Sequence, residues 1–248
     1  SFDASSMGKQ TQLFYTPVLQ EHPIKFQYRR HEAFLPNETV LLVVTMYNEK
    51  QEEFEGTMQG LSDNLEYISL DHMKTLTRKD NGQSFGYGPD GFRDFMICIV
   101  SDGETKASES SLEYAHGLGM YDENVKDVQA LGMDVHVHLF ERIIQLHQPN
   151  RMDPCPPMKV LFALKKYNKG KLHSHNWFFN AFCNNVMPEY AVLVDVGTVP
   201  IKSAIWRLLR SMTNDERIAG VCGEIEIEPK SLSYLSPVVA TQHFEYKV

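Results

Sequence analysis

The chain has 248 residues, of which 42% are hydrophobic and 23% charged, which suffices for one large α/β domain or two small ones and is unlike a disordered segment. Its 32 acidic against 24 basic residues give a formal charge of -8, so it lacks the electrostatic footprint of a protein that wraps nucleic acid or coats an anionic membrane. A local basic cluster can still hold phosphate, and small anions accompanied by a metal are the expected partners.

Residues 1 to about 36 are mixed and polar, punctuated by Pro17, Pro23 and Pro36, with a basic patch from Lys25 to Arg30. They read as a lead segment packed on a domain, and residues 1–38 are set apart from a main domain over 39–248. The run Thr39-Val40-Leu41-Leu42-Val43-Val44-Thr45-Met46 is continuous and β-branched, as in central parallel strands covered on both faces. Phe54, Met58, Leu61 and Leu65 then follow at helical spacing. Residues 71–92 are polar and Gly-rich, which predicts a surface loop. A second buried strand, Phe95-Met96-Ile97-Cys98-Ile99-Val100, ends in Ser101-Asp102-Gly103, and Leu112, Ala115 and Leu118 mark the next helix.

Val135, Val137 and Leu139 alternate with His136, His138 and Phe140, predicting a strand with one polar face near a sheet edge. A Pro-rich loop over about 145–157 and a Lys-rich segment lead to an aromatic helix from about Asn176 to Val186. Tyr190-Ala191-Val192-Leu193-Val194 reads as a buried strand, followed by a helix with Ile201, Ile205, Leu208 and Met212 inward. Strands alternating with helices imply an α/β fold with a mainly parallel central sheet flanked by helices. Cys98, Cys155, Cys183 and Cys222 are widely spaced, which fits a reducing compartment and no zinc centre. The apolar runs fall well short of the roughly 20 residues that span a bilayer, so this segment itself reads as soluble.

Three strands end in polar clusters: Thr45-Met46-Tyr47-Asn48-Glu49, Ser101-Asp102-Gly103 and Asp195-Val196-Gly197-Thr198. In a parallel sheet those ends share one edge, where α/β folds bind ligands. A carboxylate such as Asp195 can bridge magnesium or manganese to a nucleotide diphosphate, although Asp-x-Gly after a strand also serves as a plain turn, and Asp102 as a helix cap. No Gly-rich dinucleotide fingerprint or P-loop follows any strand. Phosphate charge then falls to Lys165, Lys166, Lys169 and Lys171, while His173 and His175 fit structural hydrogen bonding better than metal ligation.

The ordered series Val43 to Glu49, Val100 to Gly103, Ser174-His175-Asn176-Trp177-Phe178-Phe179-Asn180-Ala181-Phe182, Leu193 to Thr198, Cys222-Gly223-Glu224-Ile225 and Gln242-His243-Phe244-Glu245-Tyr246-Lys247 resembles that of the chitin synthases, processive inverting family 2 glycosyltransferases. The resemblance covers roughly residues 39–248. It implies a glycosyltransferase A fold, incomplete at its C-terminal end, that holds UDP-N-acetylglucosamine with Mg2+ or Mn2+ and extends a β-1,4-linked chitin chain as acceptor. By motif match, Thr45 and Glu49 would contact the uridine, Asp102 the uracil, Lys171 the diphosphate and Asp195 the metal, while Glu224 would line the sugar pocket. The presumed general base, in an acidic pair, the Gln-x-x-Arg-Trp acceptor motif and a cluster of membrane helices are not among these residues and are expected beyond Val248.

The resemblance therefore implies the cytoplasmic, donor-binding part of a multi-pass plasma-membrane enzyme, with a homodimer as a candidate assembly. The competing reading is a non-catalytic nucleotide-sugar-binding or partner-binding module on the same fold.

Overall fold

The computed structural model describes residues 12–27, 39–69, 76–77, 84–85, 94–147 and 154–226. The Gln242 to Lys247 motif, Pro36 and most of the loop predicted over 71–92 lie outside them.

Two long runs of β-branched and aromatic residues set the centre of the molecule. Strand β2 (Val40–Met46) and strand β3 (Phe95–Ser101) are buried at every position, as strands covered on both faces must be. They form one six-stranded sheet with β1 (Phe14–Val18), β4 (Val137–Ile144), β5 (Met158–Lys165) and β6 (Tyr190–Asp195), in the order β1-β4-β5-β3-β2-β6. The pairs β5/β3, β3/β2 and β2/β6 are parallel, whereas β1/β4 and β4/β5 are antiparallel. Helices α1 (Gln51–Ser69), α2 (Glu109–Gly117), α3 (Lys171–Trp177) and α4 (Ala204–Asn214) complete the α/β architecture. This mixed, mainly parallel sheet flanked by helices is consistent with the glycosyltransferase A fold that the resemblance implies.

Alternation along the strands divides the core into two layers. On one face Leu42, Val44, Ile97 and Ile99 pack with Phe54, Met58, Leu61 and Leu65 of α1, and with Ile205 and Leu209 of α4. On the other, Leu41, Val43, Cys98 and Val100 meet Trp177, Phe178 and Phe182, where α3 runs into a π-helical turn over Phe178–Cys183. Phe26 of the lead segment stands edge-on to both Trp177 and Phe182.

Several expectations are corrected. The Lys-rich segment begins with a strand: β5 sits at the centre of the sheet and is buried at all eight positions, Lys159 and Lys165 included. The aromatic helix starts at Lys171, five residues earlier than about Asn176. Strand β4 lies next to the edge, as expected, but has no exposed polar face: β1 pairs outside it and covers His138, which is 4% exposed. Conversely, among the described residues β6 is the edge strand on the other side with β2 alone beside it, and Ala191, Leu193 and Asp195 alternate outward. Helix α4 begins after Ile201, which is exposed, and its buried positions are Ile205, Leu209 and Thr213.

Candidate functional site at the carboxyl edge of the sheet

Because β2, β3, β5 and β6 run the same way, their carboxyl ends deliver side chains to one edge. The register sets Asp195 directly opposite Thr45, and Ser101, the residue before Asp102, opposite Met46 and Leu164. Thr45 Oγ1 donates to Asp195 Oδ1, and Lys171 Nζ, from the first residue of α3, donates to Asp195 Oδ2. Burial works to raise the Asp195 carboxyl, but the bonds from Lys171 and Thr45, with the positive charge of Lys171 and of nearby His175, hold it below its ordinary value of 3.8.

Asp102, just after β3 and across β2 from Asp195, is buried. Its backbone N–H donates to Met46 O at 2.8 Å, and its Oδ1 accepts from Lys165 Nζ at 2.5 Å and from Lys169 N at 3.0 Å. Lys165, the last residue of β5, also donates to Ser174 Oγ at 3.2 Å. Burial pulls the Lys165 ammonium below its ordinary value while Asp102 pushes it back up. Oδ2 of Asp102 carries no hydrogen bond among the described residues, which leaves it to accept from a ligand. The turn that follows depends on Gly103, whose φ of +105° is one few side chains adopt and whose added Cβ would lie 2.9 Å from Asn168 Cβ.

Glu49 stands at the same edge, where its Oε2 accepts from Tyr47 N at 2.7 Å and its backbone carbonyl from Ser111 Oγ at 2.6 Å. The mutual repulsion expected of strand-end carboxylates is thus answered within the chain. Lys171 faces Asp195, Lys165 faces Asp102, and a backbone amide faces Glu49.

The other residues singled out in the sequence differ in where the fold puts them. Glu224 lies exposed in the segment after α4, and none of the cluster's hydrogen bonds reaches it. Of the four phosphate-binding candidates, Lys165 is sealed against Asp102, Lys166 lies 3.6 Å from Asp134, and Lys169 lies 2.8 Å from Glu21. Lys171 alone among these four stands on Asp195. His173 is lowered by burial and by the neighbouring lysines, and its buried Nδ1 has no hydrogen bond among the described residues.

Sequence reasoning missed the device that seats the loop after Asp195. Helix α1 presents Gly56, Gly60 and Asn64 at spacings of four, hence on one face. A Cβ on Gly60 would come within 2.8 Å of Pro200 Cδ, so the glycines admit Val199 and Pro200 against the helix backbone. Asn64 then grips the loop: its Nδ2 donates to Pro200 O at 3.2 Å and Ile201 O at 2.8 Å, and its Oδ1 accepts from Ile205 N at 3.0 Å. Gly197, at φ +94°, donates its N–H to Thr57 Oγ1 at 3.0 Å. The Gly-x-x-x-Gly-x-x-x-Asn spacing in α1 was the available signal.

Among the described residues no three His, Cys, Asp or Glu side chains assemble into a metal cage. Asp195 offers a single hard-oxygen carboxylate. That suits a cation whose remaining ligands are phosphate oxygens and water, the usual arrangement for Mg2+ at nucleotide sites.

Comparison with known proteins bears on which ligand such an edge serves. The chain is 34% identical over 240 residues to chitin synthase 1 of Phytophthora sojae, covering 95% of this chain and 26% of that protein. It is 36% identical over 213 residues to chitin synthase 2 of Mycosarcoma maydis, covering 84% and 19%. With chitin synthase 1 of Saccharomyces cerevisiae it shares 32% over 235 residues, covering 90% and 20%. It therefore spans about a quarter or less of the length of these relatives. The family described as the chitin synthase-like glycosyltransferase domain matches residues 40–248, every described strand and helix from β2 onward, and the chain belongs to that family.

Proposed function

We propose that this domain is the donor-binding part of a chitin synthase, which transfers N-acetylglucosamine from UDP-N-acetylglucosamine to the non-reducing end of a growing β-1,4-linked chain with inversion. Thr45 and Glu49 border the uridine, Asp102 Oδ2 accepts from the uracil, and Lys171 donates to the diphosphate. Asp195 holds Mg2+ or Mn2+, and Glu224 lines the sugar pocket. The observation that carries this reading is the convergence of Thr45, Asp102, Lys171 and Asp195 on one sheet edge, in a chain of this family.

The chain's own contribution to such a transfer is electrostatic. Asp102 is fixed by Lys165 before a ligand arrives, so it is oriented to select a nucleobase with an N–H donor. Lys171 sets positive charge where the departing diphosphate gains negative charge, the main requirement of the reaction. A cation on Asp195 would supply further charge neutralisation there. Among the described residues no helix is long and apolar enough to cross a membrane. In this reading the domain lies at the cytoplasmic face of the plasma membrane through other parts of a longer protein.

The test is titration calorimetry. UDP and UDP-N-acetylglucosamine bind the folded protein more tightly with Mn2+ than without, and Asp195→Ala abolishes that difference. Absence of UDP binding by folded protein with Mn2+ present overturns the reading.

A further inference from the structure

The lysines around this edge are each matched to one carboxylate, and one match differs from the rest. Lys165 and Asp102 are 2% and 6% exposed at their side chains, a sealed pair. Lys166 and Lys169 reach Asp134 and Glu21, neither of which belongs to the cluster. Lys171 pairs with Asp195, the residue assigned to the cation, and the two side chains are 56% and 50% exposed. Both oxygens of Asp195 are engaged, Oδ1 by Thr45 and Oδ2 by Lys171. A dication and the ammonium compete for Oδ2, because each weakens the other's hold by like-charge repulsion.

We infer that Lys171 is the stand-in cation of the ligand-free site: it occupies Asp195 Oδ2 until a metal-bound nucleoside diphosphate arrives, then releases the carboxylate and carries its ammonium to the diphosphate. The inference rests on the donor-site reading above.

The local structure permits the exchange. Lys171 is the first residue of α3, and Gly170 before it, at φ +82°, has open space around it. Its long stem can swing without repacking the core, and an exposed ion pair of this kind holds with little energy. Thr45 is buried and stays on Oδ1, so the carboxylate keeps its orientation when Lys171 leaves.

Two ligands that share this switch must help each other. Metal alone finds Oδ2 taken. UDP alone has to draw Lys171 away and leave the Asp195 charge facing its phosphates. Arriving together, each removes the obstacle the other meets, so the coupling between them is positive and reciprocal.

The experiment measures three affinities in the full-length protein: Mn2+ alone by electron paramagnetic resonance, UDP alone, and UDP with Mn2+ by calorimetry. The Mn2+ signal that Asp195→Asn removes defines the site. Lys171→Gln keeps a polar side chain, one atom shorter, and deletes the competing charge. It tightens Mn2+ alone by about threefold or more and weakens metal-free UDP by about tenfold, so the coupling shrinks. Lys171→Arg restores the wild-type pattern for Mn2+ alone, and thermal melting confirms that both variants fold.

Mn2+ affinity that is unchanged or weaker in Lys171→Gln overturns the exchange even where UDP with Mn2+ still binds. A wild-type protein that binds UDP under no condition overturns the donor-site reading and the exchange together.

Discussion

A lysine with its ammonium sealed inside a protein is tolerable only if something negative meets it, and Lys165 meets Asp102 at 2.5 Å with Ser174 Oγ beside it. Removing one partner strands the other. Lys165→Met is expected to cost about 3–5 kcal/mol in urea unfolding, whereas Lys165→Met with Asp102→Leu recovers most of that stability yet loses UDP binding. Stability regained together with UDP binding would show that Asp102 has no part in recognition. Asp102 was legible from the sequence because a carboxylate after a β-branched run is conspicuous. Lys165 was not, because it stands in a row with Lys166, Lys169 and Lys171, and only the fold separates a buried lysine from solvated ones. The same limit hid Lys171's partner, 24 positions along the chain.

At the scale of elements, β1 is fastened to the sheet by polar groups as much as by its register. Tyr15 Oη and His138 Nδ1 lie 3.0 Å apart, and His138 also faces Glu104, Lys126, Lys166 and Asp127. Burial pulls the His138 imidazole below its ordinary value of 6.5, with Glu104 opposing. The unfolded chain therefore takes up the proton first, so this contribution to stability is present above about pH 6.5 and is lost as pH falls through the window beneath it. His173 is shifted in the same direction and adds to the effect. Denaturant melts between pH 7.5 and 5 should show stability falling on acidification, and His138→Gln should flatten that slope. An unchanged slope in the variant would exclude His138. Elements were read well where one pattern ran long, as in β2, β3 and α1. They were misread where tertiary neighbours decide the outcome: β4 looks half polar until β1 covers it, β5 is hidden in a Lys-rich segment because it ends on Lys165 beside Lys166, and β6 looks buried although among the described residues only β2 flanks it.

For the whole molecule, the donor reading makes a thermodynamic claim. Saturating UDP with Mn2+ at about a hundred times the dissociation constant adds about 2.7 kcal/mol to stability, a rise in Tm of roughly 5–10 °C for a chain this size. Asp195→Ala should show no Mn2+-dependent part of that rise in scanning fluorimetry. The ordering cost of binding follows from how α1 holds the loop after Asp195. Gly56 and Gly60 let that loop lie against the helix backbone, and Asn64 ties two of its carbonyls and the Ile205 amide in the first turn of α4. Its conformational freedom is thus surrendered when the chain folds, and a ligand reaching Asp195 meets a backbone with little entropy left to lose, so binding there should carry only a small ordering penalty.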